Sequence, residues 1–357
     1  MVTTPAAATV PAVRIQPPLR SFSVAATGDV LTEASVISAA RSSAGPGQRY
    51  EFGPMFAPVA PILRAADLAI CHMEVPIGGP SDGPGVYGRS AYGGNLVLAP
   101  FEVASGLKAA GFDRCTTSSN HSNDLGAGGI ESTLDALDAA GVSHVGTARS
   151  PAEDAVSTFV VNGVRVAHLG YTRTLNTAAT DPWRLNDAHS VDQVVADVAA
   201  ARKLGAEVVI VSVHIGTELL GAPTPADRAF VTDLTAATHI DLVIEHGPHV
   251  IQPLEQVNGT WVYWSVGNFV SGMGWAQSGR YADMRTLDGL IATARFVETS
   301  PGQFTVTPTP VLICDEHTSR TVYPVITTLA DPTIPAVLRD QLQQCLTRSV
   351  DVVAGLR

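Results

Sequence analysis

The run Glu207 to Val213, Glu-Val-Val-Ile-Val-Ser-Val, constrains the fold more than any other stretch of the chain. A near-continuous apolar strand has no polar face to offer water, so it is covered on both sides. One cover precedes it. Val191, Val194, Val195, Val198 and Ala201 recur at helical spacing, and Gly205 stops them. Pro225 to Ala237 repeats the helical pattern, and Asp241 to Ile244 follows as a second buried strand. Strands alternating with helices predict an α/β layered architecture. In such sheets, ligands gather beyond the carboxyl ends of the strands. There the first strand carries His214 and the second carries Glu245-His246-Gly247-Pro248-His249.

The rest of the chain reads the same way. Ser21 to Thr27 alternates as a strand and ends in Gly28-Asp29, with Glu33 just beyond. Ala66 to Cys71 is a short apolar strand closing on His72-Met73-Glu74. Pro100 to Ala110 predicts a helix stopped by Gly111, after which a strand runs into Ser119-Asn120-His121. Gly129 to Ala140 is helical, with Ile130, Leu134 and Leu137 on one face, and a brief strand covers Val142 to Val145. Asn162-Gly163, between two apolar runs, signals a tight hairpin. Trp261 to Val266 leads to Gly267-Asn268; further strands are expected near Leu290 to Phe296 and Phe304 to Ile313, and a helix over Ala336 to Leu346. Ala44 to Pro61 reads as irregular loop. Gly78 to Gly94 holds seven glycines, and a loop that long in a compact domain points to function.

Charge and cysteines narrow the class. A formal net charge of -11 without a basic run excludes nucleic acid and anionic membrane surfaces as partners. No apolar run reaches the ~18–20 residues of a membrane span, and Met1 to Pro18 lacks the pattern of a signal peptide. A soluble, cytoplasmic protein is the expectation. Cys71, Cys115, Cys314 and Cys345 are scattered without C-x-x-C spacing and read as free buried thiols.

Asp29, Glu74, Asn120, His121, His214, His246 and His249 all fall at strand ends. Each alone has a bland explanation: a turn at Gly28-Asp29, a helix cap at Glu74, a core histidine at His214. Together they form a mixed oxygen and nitrogen set suited to Mn, Fe or Zn. A bridging carboxylate such as Glu74 permits two close metals, and His121 is free to act as an acid toward a leaving oxygen.

These residues also resemble the CapA family, the metallophosphatase-like proteins named for capsular poly-γ-glutamate synthesis. The resemblance rests on Thr27-Gly28-Asp29, Met73-Glu74 with Pro76, and Ser119-Asn120-His121 with Asp124 and Gly126. It continues through Gly141-Val142, Val145-Gly146, Val213-His214 with Gly216 and Glu218, and His246-Gly247-Pro248-His249-Val250 with Gln252-Pro253. It ends in Trp264-Ser265-Val266-Gly267-Asn268-Phe269, and covers about residues 21–325, leaving a tail at 1–20 and a helical extension at 326–357. It implies a calcineurin-like four-layer αββα sandwich of two packed mixed sheets flanked by helices. It also implies Asp29, Glu74 and His249 around one metal, with Glu74, Asn120, His214 and His246 around another. His121 would be the acid. Three departures stand out: His72 in place of a frequent Asn, Glu245 in place of a Gly, and Val30-Leu31 where phosphoesterases start Asp-x-His. Glu33, His72, Glu218, Asp124 and Asn268 are the additional candidates.

The resulting expectation is a metal-dependent hydrolase of phosphoesterase type with one or two Mn, Fe or Zn ions, acting on a small-molecule or glutamate-containing substrate. Two other readings fit the same residues. One is a biosynthetic enzyme making or breaking an amide or ester; the other is a non-catalytic accessory of poly-γ-glutamate synthesis.

Overall fold

The computed structural model describes residues 19–353 apart from 92, 180 and 275–281. Residues 1–18 of the expected tail lie outside the described residues. Arg20 is pinned, its guanidinium bridging Glu207 and Glu298.

Two sheets meet face to face. The larger runs Val322–Pro324, Val311–Asp315, Asp288–Ser300, Ser21–Leu31, Leu68–Met73, Arg114–Thr116, Ser143–Val145. Asn268–Ser271 also pairs with Ser21–Leu31, and Gln303–Pro308 with Asp288–Ser300. The smaller runs Leu254–Val257, Thr260–Tyr263, Leu242–His246, Val208–His214, Val164–Thr172, Phe159–Val161. Strand alternation sorts the apolar residues into three layers. Val24, Ala26 and Ile70 of the large sheet pack on Val166, Ile210 and Ile244 of the small one. Ala25, Ala69 and Cys71 face the other way, onto Phe56, Leu107 and Leu137 of the outer helices. Val209, Val211 and Val213 face Val198, Phe230 and Leu234. The Val208–His214 strand is therefore covered on both sides, as its composition requires, and the architecture is the four-layer αββα sandwich expected.

Several local expectations change. Ala34–Ser43 is a helix, with Val36, Ile37 and Ala40 buried at helical spacing. The Ala44 to Pro61 stretch contains the helix Gly53–Phe56 and the start of Ala60–Ala65, each opened by a proline in its first turn. Phe304 to Ile313 splits into two strands, Gln303–Pro308 and Val311–Asp315, because Pro308 and Pro310 interrupt it. The Gly-rich stretch is a hairpin, Gly85–Arg89 paired with Asn95–Leu98 as a separate two-stranded sheet. Asn162-Gly163 turns as expected, both residues at positive φ.

The cysteines are a correction. They are disulfide-bonded, Cys71 to Cys115 and Cys314 to Cys345. Cys71 and Cys115 are register partners on adjacent parallel strands, and the Ala336–Ser349 helix carries Cys345 onto the strand holding Cys314. Sequence spacing conceals both meetings, because the partners are 44 and 31 residues apart. Under denaturing, non-reducing conditions thiol titration should therefore find no free sulfhydryl, and reduction should release four; four before reduction would rule the pairing out. Replacing Cys314 and Cys345 by Ser should lower unfolding stability by about 2–4 kcal/mol in denaturant melts.

Candidate metal centre

The carboxyl ends of three parallel strands of the large sheet converge on those of the small sheet. Asp29 sits near the end of Ser21–Leu31, opposite His72 on one side and Asn268 on the other. Close strand approach makes this possible. A Cβ on Gly28 would lie 2.0 Å from the Gly267 carbonyl oxygen, so only glycine lets Asn268 stand beside Asp29. Across the interface, His214 and His246 end neighbouring strands in register, and Gly247 turns the chain to bring in His249. His249 itself has φ of 60°, a strained conformation for a non-glycine residue.

The side chains meet in a buried cluster. His249 Nδ1 lies 3.1 Å from Asp29 Oδ2 and 2.9 Å from Asn268 Oδ1, and its Nε2 lies 3.7 Å from Glu74 Oε1. His246 Nδ1 and His72 Nε2 lie 3.5 and 3.7 Å from Asp29 Oδ1. His72 Nε2 is 3.1 Å from His214 Nδ1, and its ring stacks on His246 at 4.0 Å. Two sets of donor atoms fall within 4.8 Å of one another: Asp29 with Glu74 and His249, and Asp29 with His72 and His214.

The donors are left unsaturated. Neither oxygen of Asp29 or Glu74, nor Asn120 Oδ1 or His246 Nδ1, makes a well-formed hydrogen bond, and all are buried. Buried polar atoms normally find partners. An all-oxygen-and-nitrogen set with open lone pairs fits a transition-metal ion. The protein alone distributes protons instead. Burial pushes Asp29 up, but contacts with His246 and His249 outweigh it and hold the carboxyl well below its usual range. Burial raises Glu74 to about 7 against the pull of His249. Burial draws His249 down, yet Glu74 and Asp29 lift it to about 10. His214 falls to about 3 through burial, a neutral imidazole suited to ligation.

His121 stands beside the cluster with its own support. Its Nδ1 donates to Asp124 Oδ2 at 2.7 Å, and the amide of Asn176 lies 3.2 Å from the same nitrogen. Burial lowers the imidazole, but the Asp124 carboxylate outweighs it and keeps the pKa above the ordinary value. The Val97 N–H of the hairpin donates to the same Asp124 oxygen at 2.8 Å. Beside it lies a cavity of about 470 Å³ lined by Asn120, His121 and His249, by Arg89 and Asn95 from the hairpin, and by Glu33 and Glu218.

The structure thus brings together Asp29, His72, Glu74, His214, His246 and His249, with Asn268 and Asp124 as hydrogen-bond partners, and Asn120 lines the cavity with His249. Glu33 and Glu218 line the cavity instead, and Glu33 accepts from Ser271 Oγ. Leu31 lines it too. Glu245 points to the opposite face, where burial and then Asp227 push its carboxyl well up, so it does not enter the cluster. Asn176 and Arg89 escaped the sequence reading. Asn176 follows the Val164–Thr172 strand, so the strand-end rule applied there would have found it.

Fold and site define a four-layer αββα protein whose strand ends enclose carboxylates, imidazoles and an amide. The model described as "Bacterial capsule synthesis protein PGA_cap" matches residues 23–273, and the chain belongs to that family. It is 27% identical over 71% of its length to the "PGA biosynthesis protein CapA" of Bacillus subtilis, and 29% over 64% to the "Capsule biosynthesis protein CapA" of Bacillus anthracis. The matches span 64% and 56% of those relatives. Among solved structures, the calcineurin-like phosphoesterase YfkN of Bacillus subtilis aligns over 94% of this chain and 99% of that one, at 13% identity and a TM-score of 0.48.

A cation held by this cluster would displace the protons on Glu74 and His249. Affinity for Zn or Mn, measured by isothermal titration, should accordingly rise with pH through about 7, by about tenfold per unit for each proton released. A flat profile between pH 6 and 8 would exclude these two groups from the binding site.

Proposed function

We propose that the chain is a metal-dependent hydrolase acting on phosphoesters, its ions held by Asp29, Glu74, Asn120, His214, His246 and His249. The observation that carries this is the pair of buried carboxylates, Asp29 and Glu74, none of whose four oxygens makes a well-formed hydrogen bond. Bound Mn, Fe or Zn supplies a Lewis acid that activates water and neutralises charge on a phosphoryl group. The protein's own residues do the rest. The Asp124 carboxylate fixes His121 with its proton on Nδ1 and favours the charged ring, so Nε2 carries a proton for the leaving oxygen. The hairpin contributes Arg89, Asn95 and Val97 to the cavity wall. The cavity's size suits a small-molecule substrate or one end of a longer chain.

A second reading draws on the relatives' names. One further relative, 30% identical over 44% of this chain, is a "Probable polyglutamine synthesis accessory protein" of Mycobacterium tuberculosis. By that analogy the chain serves polymer synthesis on a glutamate-containing partner. Among the described residues no helix is long and apolar enough to cross a membrane. The two disulfides favour an oxidising compartment over the cytoplasm expected from the sequence.

The leaving group tests the acid. On metal-replete protein, His121→Ala should reduce hydrolysis of phenyl phosphate by about 10²–10⁴-fold, with metal content unchanged. The loss on 4-nitrophenyl phosphate should be smaller, because that leaving group departs unprotonated. His214→Ala should lose both metal and turnover. Metal-replete wild type that hydrolyses no member of a phosphomonoester and phosphodiester panel would end the hydrolase reading in favour of the accessory one.

A further inference from the structure

His72 has no place in the ligand sets that the resemblance implies, yet the structure puts it at the centre of the cluster. It is fully buried, across the strand from Asp29 in register. Its Nε2 lies 3.1 Å from His214 Nδ1 and 3.7 Å from Asp29 Oδ1. We infer that His72 is itself a metal ligand, sharing an ion with Asp29 and His214, and that Asp29 is the carboxylate common to both ion positions. The inference rests on the metal-dependent reading above.

The distances decide between ligand and packing residue. Two imidazole nitrogens on one tetrahedral zinc, each at ~2.0–2.1 Å, stand roughly 3.3 Å apart. The His72–His214 separation of 3.1 Å matches that edge, and the contact to Asp29 closes to it with a shift of a few tenths of an ångström. The alternative is a hydrogen bond between two rings, which needs only one proton between them. That arrangement leaves both Asp29 oxygens, fully buried, without a well-formed hydrogen bond. A cation between the three groups answers all of them at once.

Chemistry follows from the donor count. Asp29 occurs in both tight donor sets, one with Glu74 and His249 and the other with His72 and His214. The second position is therefore rich in imidazole, with His246 stacked on His72 beside it. Imidazole donors favour Zn, Fe and Co over Mg and Ca. Replacing His72 by an amide should shift preference away from zinc and toward manganese.

The test uses the full chain and three metals alone. Isothermal titration with Zn, Mn and Co is run on wild type and His72→Asn, with circular dichroism and thermal melting of the metal-free forms as a check on folding. Loss of a ligand should weaken one of two zinc sites by at least about 100-fold, more than the loss of a group that only orients a ligand. The cobalt form should lose the intense visible absorption of a tetrahedral centre. A second measurement needs no variant. In zinc-loaded wild type labelled with ¹⁵N-histidine, four imidazoles should show a metal-bound nitrogen shift: His72, His214, His246 and His249. Three shifted imidazoles, with zinc affinity unaltered in His72→Asn, would overturn the role of His72 and leave the hydrolase reading standing. Wild type that binds none of the three metals would remove both.

Discussion

The fold is arranged around the burial of charge at the ends of its strands. Asp29 and Glu74 are fully inaccessible, and so is the imidazole of His72 beside Asp29. Taking an isolated carboxylate out of water costs several kcal/mol even after relaxation. The sandwich concentrates that cost in one place and surrounds it with material that tolerates it. Apolar residues fill the inter-sheet layer up to Ile70, Ile210 and Ile244; the next inward positions on those strands are His72, Ser212 and His246. Strand alternation keeps these polar groups on the inter-sheet face, so one register serves both core and site.

Parallel pairing explains why the groups converge. Ser21–Leu31, Leu68–Met73 and Arg114–Thr116 run parallel in one sheet, and Val164–Thr172, Val208–His214 and Leu242–His246 run parallel in the other. All six therefore deliver their following residues to the same edge. Asp29, Glu74, Asn120, Asn176, His214 and His249 come from six different strand ends. The arrangement needs close backbone contact as well as direction, and glycine supplies it. At Gly289, as at Gly28, a Cβ would sit 2.0 Å from a carbonyl oxygen of the Gly267-Asn268 segment.

Much of this was legible in the sequence because it depends on local pattern. The apolar run into His214 specifies a strand covered twice, and the polar residues after it specify where a ligand belongs. Glycine stops marked the helix ends at Gly111 and Gly141, both in left-handed conformations. What stayed hidden depends on pairing across the chain. The disulfide of Cys71 and Cys115 exists because two strands align in register, and no spacing rule reveals that alignment. The hairpin at Gly85–Arg89 looked like loop because glycines weaken strand propensity, and its pairing with Asn95–Leu98 is what orders it. His72 was visible as a candidate, but its relation to His214 arises only when the two sheets pack. The same holds for Glu245. It stood out in the sequence as a departure from the family pattern beside His246, and alternation turns it toward the Pro225–Ala237 helix.

The hairpin and His121 share one partner. One oxygen of Asp124 accepts both the His121 Nδ1 proton and the Val97 N–H of the hairpin. A carboxylate shared in this way fixes the tautomer of the imidazole and the height of the strand above it together. The hairpin brings Arg89 and Asn95 to the cavity that His121 lines. Groups joined through one partner do not contribute additively. The position of the hairpin and the orientation of the His121 ring are in this structure two consequences of the position of Asp124.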